Sequence, residues 1–233
     1  MMNEKVWVVI PTYNERANLA MLMQRLTAAG PWRILVVDDN SPDGTGQVAE
    51  ELRGHYPALT VLHRPTKQGL GPAYREGLAV ALQHKAEYIV HCDADGSHPP
   101  ELIPRLLQAL AQADVAVASR YVAGGRIAID WRRRWVSQIG NVYIRAMLGW
   151  RVRDWSTGYK AWRAKSLRNV LAAPLEATGY ACLMEMTWWA RKQGTRVVEV
   201  PLNFIDRTAG ESKFTAGIIV EDIRLAWRLR WRR

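Results

Sequence analysis

Through the first 120 residues of this 233-residue chain, short unbroken apolar runs alternate with stretches whose apolar positions recur every three or four residues. Val6-Trp7-Val8-Val9-Ile10, Ile34-Leu35-Val36-Val37, Thr60-Val61-Leu62-His63, Tyr88-Ile89-Val90-His91-Cys92 and Val115-Ala116-Val117-Ala118-Ser119 have the length and β-branched content of strands. Between them, Leu19, Leu22, Met23 and Leu26 predict a helix. So do residues 46–52, residues 73–84, and a segment from Pro99 or Pro100 that carries Leu102, Leu106 and Leu110. Continuous apolar runs belong to strands buried on both faces. The βαβα order therefore predicts an α/β fold whose mostly parallel central sheet is covered by helices on both faces. Beyond Arg120 the pattern is richer in Trp and Arg, with helical spacing over residues 130–150, 183–192 and 219–231. No repeat, linker or low-complexity segment divides the chain.

Three of the predicted strands end in polar residues. The fourth run discharges into Asp93-Ala94-Asp95, followed by a turn at Gly96-Ser97-His98-Pro99-Pro100; the second ends in Asp38-Asp39; the first opens into Pro11-Thr12-Tyr13-Asn14-Glu15. Open parallel sheets bind ligands outside the carboxyl ends of their strands, and two carboxylates one residue apart offer hard oxygen ligands. Together the three ends predict one site holding a divalent cation for a phosphorylated substrate. A solvated acidic turn is the plain alternative for Asp-x-Asp, and a local turn cap the alternative for Asp38 and Asp39.

An apolar content of 48% with 23% charged residues is globular. Two isolated cysteines, Cys92 and Cys182, argue against a disulfide framework or a zinc site and for a reducing setting. No signal segment and no run of about 18 apolar residues is seen, so no membrane-spanning helix is expected. The formal net charge is +10, and residues 120–168 carry twelve Lys or Arg against Asp130 and Asp154 alone. Arg224, Arg228, Arg230, Arg232 and Arg233 follow, interleaved with Trp227 and Trp231. Such clustering predicts an anionic partner, whether nucleic acid, phospholipid or a phosphorylated substrate.

Seven segments in order resemble family 2 glycosyltransferases of the GT-A (Rossmann-like) fold, and within them the polyprenol (dolichol) monophosphate mannose synthases. They are Pro11-Thr12-Tyr13-Asn14-Glu15, Val37 to Thr45, Asp93 to Pro99, Ser119-Arg120-Tyr121, Trp131 with Arg133 and Ser137, Asp154 to Tyr159, and Phe204 to Arg207 with Gly210 to Lys213. The resemblance implies that Pro11, Tyr13, Glu15, Val37 and Asp39 line a nucleotide pocket. Asp93, Ala94 and Asp95 would form the metal and diphosphate motif, with Asp93 and Asp95 holding Mg²⁺ or Mn²⁺. Relatives carry Gln or Ser where Ser97 stands. Arg120, Arg207 and Lys213 match phosphate-contacting basic residues, so Asp95, Arg120, Arg207 and Lys213 are the expected catalytic set. Arg133 and Ser137, four residues apart on one helical face, match the acceptor-phosphate side. Glu185 also falls where the family often has Glu, with a helix ion pair as the alternative. One domain, 1–233, is expected: a nucleotide- and metal-binding half (1–120), an acceptor-side elaboration (121–214) and a basic amphipathic helix (215–233).

The implied reaction moves mannose from GDP-mannose to a polyprenyl phosphate with inversion, and UDP-glucose or another sugar nucleotide is the alternative donor. Charge develops on the leaving diphosphate, which a cation with Lys or Arg neutralises. A lipid monophosphate, with a second pKa near about 6, is mostly ionised at neutral pH and needs no catalytic base. Trp131, Trp135, Ile139, Val142 and Met147 roughly share a helical face among Arg132, Arg133, Arg134 and Arg145, a pattern suited to a lipid headgroup boundary or to ordinary core packing. Ile219, Ile223, Trp227 and Trp231 pose the same choice. The expected location is peripheral, on the cytoplasmic face of a membrane, with a membrane-anchoring protein as a further candidate partner. Nucleic acid is not expected, because no helix-turn-helix or RNP signature is present and acidic strand ends repel phosphate. A non-catalytic headgroup binder would have no use for Asp93 and Asp95.

Overall fold

The computed structural model describes residues 5–205 and 216–232. Strands β1 (Val6–Thr12), β2 (Arg33–Asp38), β3 (Leu59–His63), β4 (Tyr88–His91) and β5 (Val115–Ser119) lie where the apolar runs placed them. Helices α1 (Arg16–Ala29), α2 (Thr45–Arg53), α3 (Leu70–Gln83) and α4 (Ile103–Ala109) connect them, the last entered through a 3₁₀ turn over Pro100–Leu102. The Pro pair explains that entry: proline is tolerated in a first turn, where no N–H is needed.

A seven-stranded sheet runs β3-β2-β1-β4-β7-β5-β8, where β7 is Lys160–Arg163 and β8 is Val197–Pro201. All neighbours are parallel except β7, which pairs antiparallel with both β4 and β5. β6 (Arg126–Ala128) and β9 (Asn203–Ile205) form a separate parallel pair. The chain is thus a single α/β domain with a mostly parallel sheet flanked by helices.

Neither β7 nor β8 reads as a strand in the sequence, yet β7 lies inside the sheet, between β4 and β5. Its sequence, Lys-Ala-Trp-Arg, has charged ends, and Lys160 is nonetheless fully buried. Its Nζ donates to the carbonyl of Leu183 at 2.8 Å, and burial pushes its ammonium down to about 7.

Every β1 residue is buried. Trp7 and Val9 feed one core with Tyr74, Leu78 and Trp162, while Val6, Val8 and Ile10 feed the other with Leu19, Met23 and Leu106. This two-sided burial is why the runs are continuous. The remaining helices are α5 (Trp131–Leu148), α6 (Ala164–Leu171), α7 (Cys182–Lys192) and α8 (Ala216–Trp231). α8 packs on α5 and α7. Its core face is Leu225, Ala226 and Leu229, whereas Ile223, Trp227 and Trp231 are exposed. On α5, Trp131, Trp135, Ile139 and Val142 are likewise exposed, so core packing does not account for either stripe; Met147 alone of that set packs against the core.

α3 enters against the loop at Ala177 and Thr178: a Cβ on Gly71 would stand 2.3 Å from the Ala177 carbonyl oxygen. Gly71→Ala is expected to destabilise the fold by about 1–3 kcal/mol through overpacking against backbone, despite the roughly 1 kcal/mol that Ala gains over Gly in a helix. Urea unfolding should show a lower midpoint, and an unchanged or higher midpoint would refute the constraint.

Candidate functional site

The site lies at the carboxyl ends of β1, β2, β4 and β5, where a parallel sheet leaves room for a ligand. At the β4 end, Tyr74 on α3 donates its hydroxyl to Asp93 Oδ1 at 2.8 Å, and burial and that carboxylate hold the phenol well above its ordinary pKa. Tyr74 therefore stays a donor and orients Asp93. The Asp93 N–H donates to His98 Nδ1 at 2.9 Å, which puts the ring proton of His98 on Nε2. His98 stacks on Tyr159, centroids 5.0 Å apart, and this packing fixes the turn. Ser97 donates its N–H (3.1 Å) and its hydroxyl (2.6 Å) to Asp95 Oδ1. The hydroxyl thus positions a carboxylate.

At the β5 end, Arg120 forms a bidentate pair with the fully buried Asp154, Nε to Oδ2 at 2.8 Å and Nη2 to Oδ1 at 2.7 Å. Its backbone N–H also donates to Oδ2 (3.0 Å), and Nη2 reaches Ser156 Oγ (2.8 Å). Burial alone would raise the Asp154 pKa, but the guanidinium overrides it and holds the carboxylate below its ordinary range. Nη1 is the remaining donor nitrogen of Arg120.

Asp93, Asp95, Arg120, Arg133 and Ser137 all line one cavity of about 220 Å³. The sequence thus names both walls of a single space, carboxylates on one side and the α5 face on the other. Ser137 is held by Tyr121, whose hydroxyl lies 2.8 Å from Ser137 Oγ. Pro11, Tyr13, Glu15, Val37, Asp39 and Ala94 sit outside this cavity's lining. Pro11, Val37 and Ala94 are buried, and Lys67 Nζ stands 3.7 Å above the Tyr13 ring. Glu15 stands at the N-terminal boundary of α1 without a side-chain cap bond, its N–H donating to Thr45 Oγ1 (2.9 Å) and its carboxylate accepting from the Asn18 side-chain amide (2.7 Å). Asp39 pairs with buried Arg64 and accepts the N–H groups of Gln68 (3.2 Å) and Gly69 (3.0 Å), tying down the loop at 64–69. Asp38 takes the turn-cap role, accepting the Ser41 hydroxyl at 2.5 Å and its N–H at 3.3 Å. Glu185 is buried and accepts the N–H groups of Glu176 and Ala177 rather than making a helix ion pair. Arg207 and Lys213 lie outside the described residues.

Sequence reasoning missed Tyr74, His98, Asp154 and Tyr121 as partners of the site. Asp154 and His98 sit inside motifs it singled out; nothing in the pattern marks Tyr74, an apparent core residue of α3. The donor set suits a hard cation: two carboxylate groups border one cavity, and at Gly158 an added Cβ would crowd both Asp93 oxygens at 3.2 Å. No cluster of three or more His, Cys, Asp or Glu is found among the described residues. A cation here would take its other oxygens from a diphosphate and water.

The model of glycosyl transferase family 2 matches residues 7–171. The undecaprenyl-phosphate mannosyltransferase of Micrococcus luteus is 43% identical over 94% of this chain and 91% of its own length. The polyprenol monophosphomannose synthase of Mycolicibacterium smegmatis is 43% identical over 94% of this chain and 84% of its own. Among solved structures, glucosyl-3-phosphoglycerate synthase from Mycobacterium tuberculosis, in complex with Mn²⁺, UDP and glucosyl-3-phosphoglycerate, superposes with a TM-score of 0.71. The superposition covers 97% of this chain and 80% of the synthase at 18% identity, a likeness of fold.

Asp154→Asn should leave a buried guanidinium uncompensated and cost about 3–5 kcal/mol. Because the carboxylate's folded pKa lies below its ordinary value of 3.8, the pair's stabilisation is complete above that value and is lost as pH falls through the lower folded one. Thermal melts from pH 8 to pH 3 should therefore show the wild-type advantage over Asp154→Asn constant at neutral pH and shrinking below about pH 4. An advantage that instead fades between pH 8 and pH 5 would contradict the assignment.

Proposed function

Because this chain belongs to glycosyl transferase family 2, we propose that it transfers mannose from GDP-mannose to a polyprenyl phosphate, inverting the anomeric centre. The observation that carries the reading is the single cavity bordered by Asp93 and Asp95 on one wall and by Arg133 and Ser137 on the other. The relatives named for mannosyl transfer to undecaprenyl phosphate and polyprenol support the acceptor and the sugar.

Asp93 and Asp95 would hold Mg²⁺ or Mn²⁺, which when bound neutralises charge on the leaving diphosphate. Tyr74 and Ser97 fix these carboxylates, so the negative wall is set before substrate arrives. Pro11, Tyr13, Glu15, Val37 and Asp39 border the nucleotide subsite, with Asp39 acting through the loop at 64–69 that it secures. Arg120, braced by Asp154, presents Nη1 toward phosphate chemistry, and Arg207 and Lys213 are assigned the same task from the sequence. Arg133 binds the acceptor phosphate while Tyr121 orients Ser137 beside it. The phosphate oxygen is already ionised at neutral pH, so direct displacement needs no base.

No described helix is long and apolar enough to cross a membrane. The exposed Trp131 and Trp135 on α5 and Trp227 and Trp231 on α8, set among arginines, fit docking on an anionic membrane surface at its cytoplasmic face. A membrane-anchoring partner would act on the same side.

Two experiments test the reading. Transfer from GDP-mannose to a prenyl phosphate should stop with excess chelator, return with Mg²⁺ or Mn²⁺, and be largely lost in Asp95→Asn with folding intact. Full transfer in chelator, or preference for UDP-glucose, would overturn it. In the second, Arg133→Ala should impair acceptor use about tenfold to a hundredfold, the loss of one charge-assisted phosphate contact, while donor binding by calorimetry is kept. Arg134→Ala, an exposed neighbour, is the control. Equal behaviour of the two variants would remove Arg133 from the acceptor site.

A further inference from the structure

Among the described residues, Asp222 on α8 is the one acidic residue that reaches the cavity from the helical side. Ile218, Ile219 and Ile223 of the same helix line this cavity with it, as does Leu183 of α7. Among the described residues it makes no hydrogen bond or ion pair. Its neighbour Glu221 is differently employed, accepting the Gly179 N–H at 3.1 Å. A half-buried carboxylate with no partner among the described residues, set beside isoleucines, is a poor choice for packing, since even partial desolvation without a hydrogen bond is costly. It is also a poor choice beside a phosphate subsite if it is ionised.

We propose that Asp222 is a further acceptor-site residue, which binds a prenyl phosphate as the neutral acid, its carboxyl O–H keeping its proton and donating a hydrogen bond to a phosphate oxygen held by Arg133. The inference rests on the acceptor assignment of Arg133 and Ser137 made above and adds to it a pH limit on acceptor use.

The groups facing this carboxyl set the sign. From α5 the cavity receives Arg133 and Tyr143, and from the turn before α7 it receives Tyr180. On α7 itself Cys182 is buried and Glu185 is turned to backbone N–H groups. From the strand ends come Asp93, Asp95, His98 and Arg120, the last already paired with Asp154. Burial, reinforced by Glu221, pushes Asp222 up to about 7. An incoming phosphate dianion raises it further, because like charges favour the neutral form. Below that range the acid donates. Above it, two anions share the subsite and repel.

The test is the acceptor KM of the full chain, with a short-chain prenyl phosphate, between pH 7 and pH 9. Over that span the phosphate itself is already ionised, so its own titration does not enter. The wild type should show a rise of about tenfold or more in acceptor KM, with donor KM nearly unchanged. Asp222→Asn, which keeps a donor at every pH, should abolish the rise. Asp222→Leu should show a high, pH-independent acceptor KM. If the asparagine variant does not fold, calorimetric binding of the same prenyl phosphate to the wild type across this range should weaken by the same factor. A flat wild-type profile, or an asparagine variant that rises as steeply as wild type, overturns the role of Asp222. Arg133→Ala run in parallel separates the two claims: a raised acceptor KM in that variant with a flat wild-type profile leaves the acceptor site standing and removes Asp222 from it.

Discussion

Arg120 and Asp154 form a two-pronged ion pair in the interior, and much of the site's shape depends on it. Arg120 follows β5 directly, while Asp154 belongs to the segment that turns into β7, the strand running against its neighbours. Glu199 of β8 accepts the N–H groups of Arg153 and Asp154, each at 2.9 Å, so the same segment is gripped from a third strand. With that segment fixed, Ser156, Thr157 and Gly158 form the cavity wall beside Asp93. Placing an ion pair in the interior is costly unless its geometry and remaining hydrogen bonds are nearly complete, and here the carboxylate takes three donors from Arg120 alone. What the pair supplies is position: a positive group held rigid at a strand end, with Nη1 not used in a hydrogen bond among the described residues.

The same device recurs on the side proposed for the nucleotide. Asp39 is buried, and instead of opening to solvent it gathers Arg64, Gln68 and Gly69. Arg64 in turn reaches Glu76 on α3 at 2.8 Å. A loop of polar residues is thereby set against the sheet edge, which puts Lys67 over Tyr13. At both strand ends, a carboxylate next to the expected ligand works through the backbone it organises. Asp39 thereby shapes the loop beside the pocket that the sequence expects it to line.

The first half of the fold is legible in the sequence because its strands are buried on both faces and so read as pure apolar runs. The second half is not, for a physical reason visible at Lys160. An interior strand with a lysine at its start defies the apolar pattern, and the Leu183 carbonyl that accepts from its ammonium makes it tolerable. The cavity-lining residues Asp93, Asp95, Arg120, Arg133 and Ser137 are legible as motifs. Their supports are legible only in part: Tyr121, His98 and Asp154 fall inside motifs that do not reveal their role, and Tyr74 looks like any inward residue of α3. Nothing in a linear pattern says which hydroxyl will meet which carboxylate.

Charge is divided across the cavity in a way that follows from the topology. Parallel strands put the acidic turns at one edge of the sheet, and the chain has to leave that edge through α5 and return through α8 to close the space above it. Those two helices carry exposed tryptophans and arginines on their outer faces and mixed residues inward. A substrate with two phosphates meets the carboxylates of Asp93 and Asp95, which repel it unless a cation intervenes, whereas a monophosphate entering between the helices meets Arg133 and the carboxyl of Asp222, which repels it only when ionised. On the proposed function, this asymmetry fits the two substrates to opposite walls. It also explains why a cation is expected on the strand side alone.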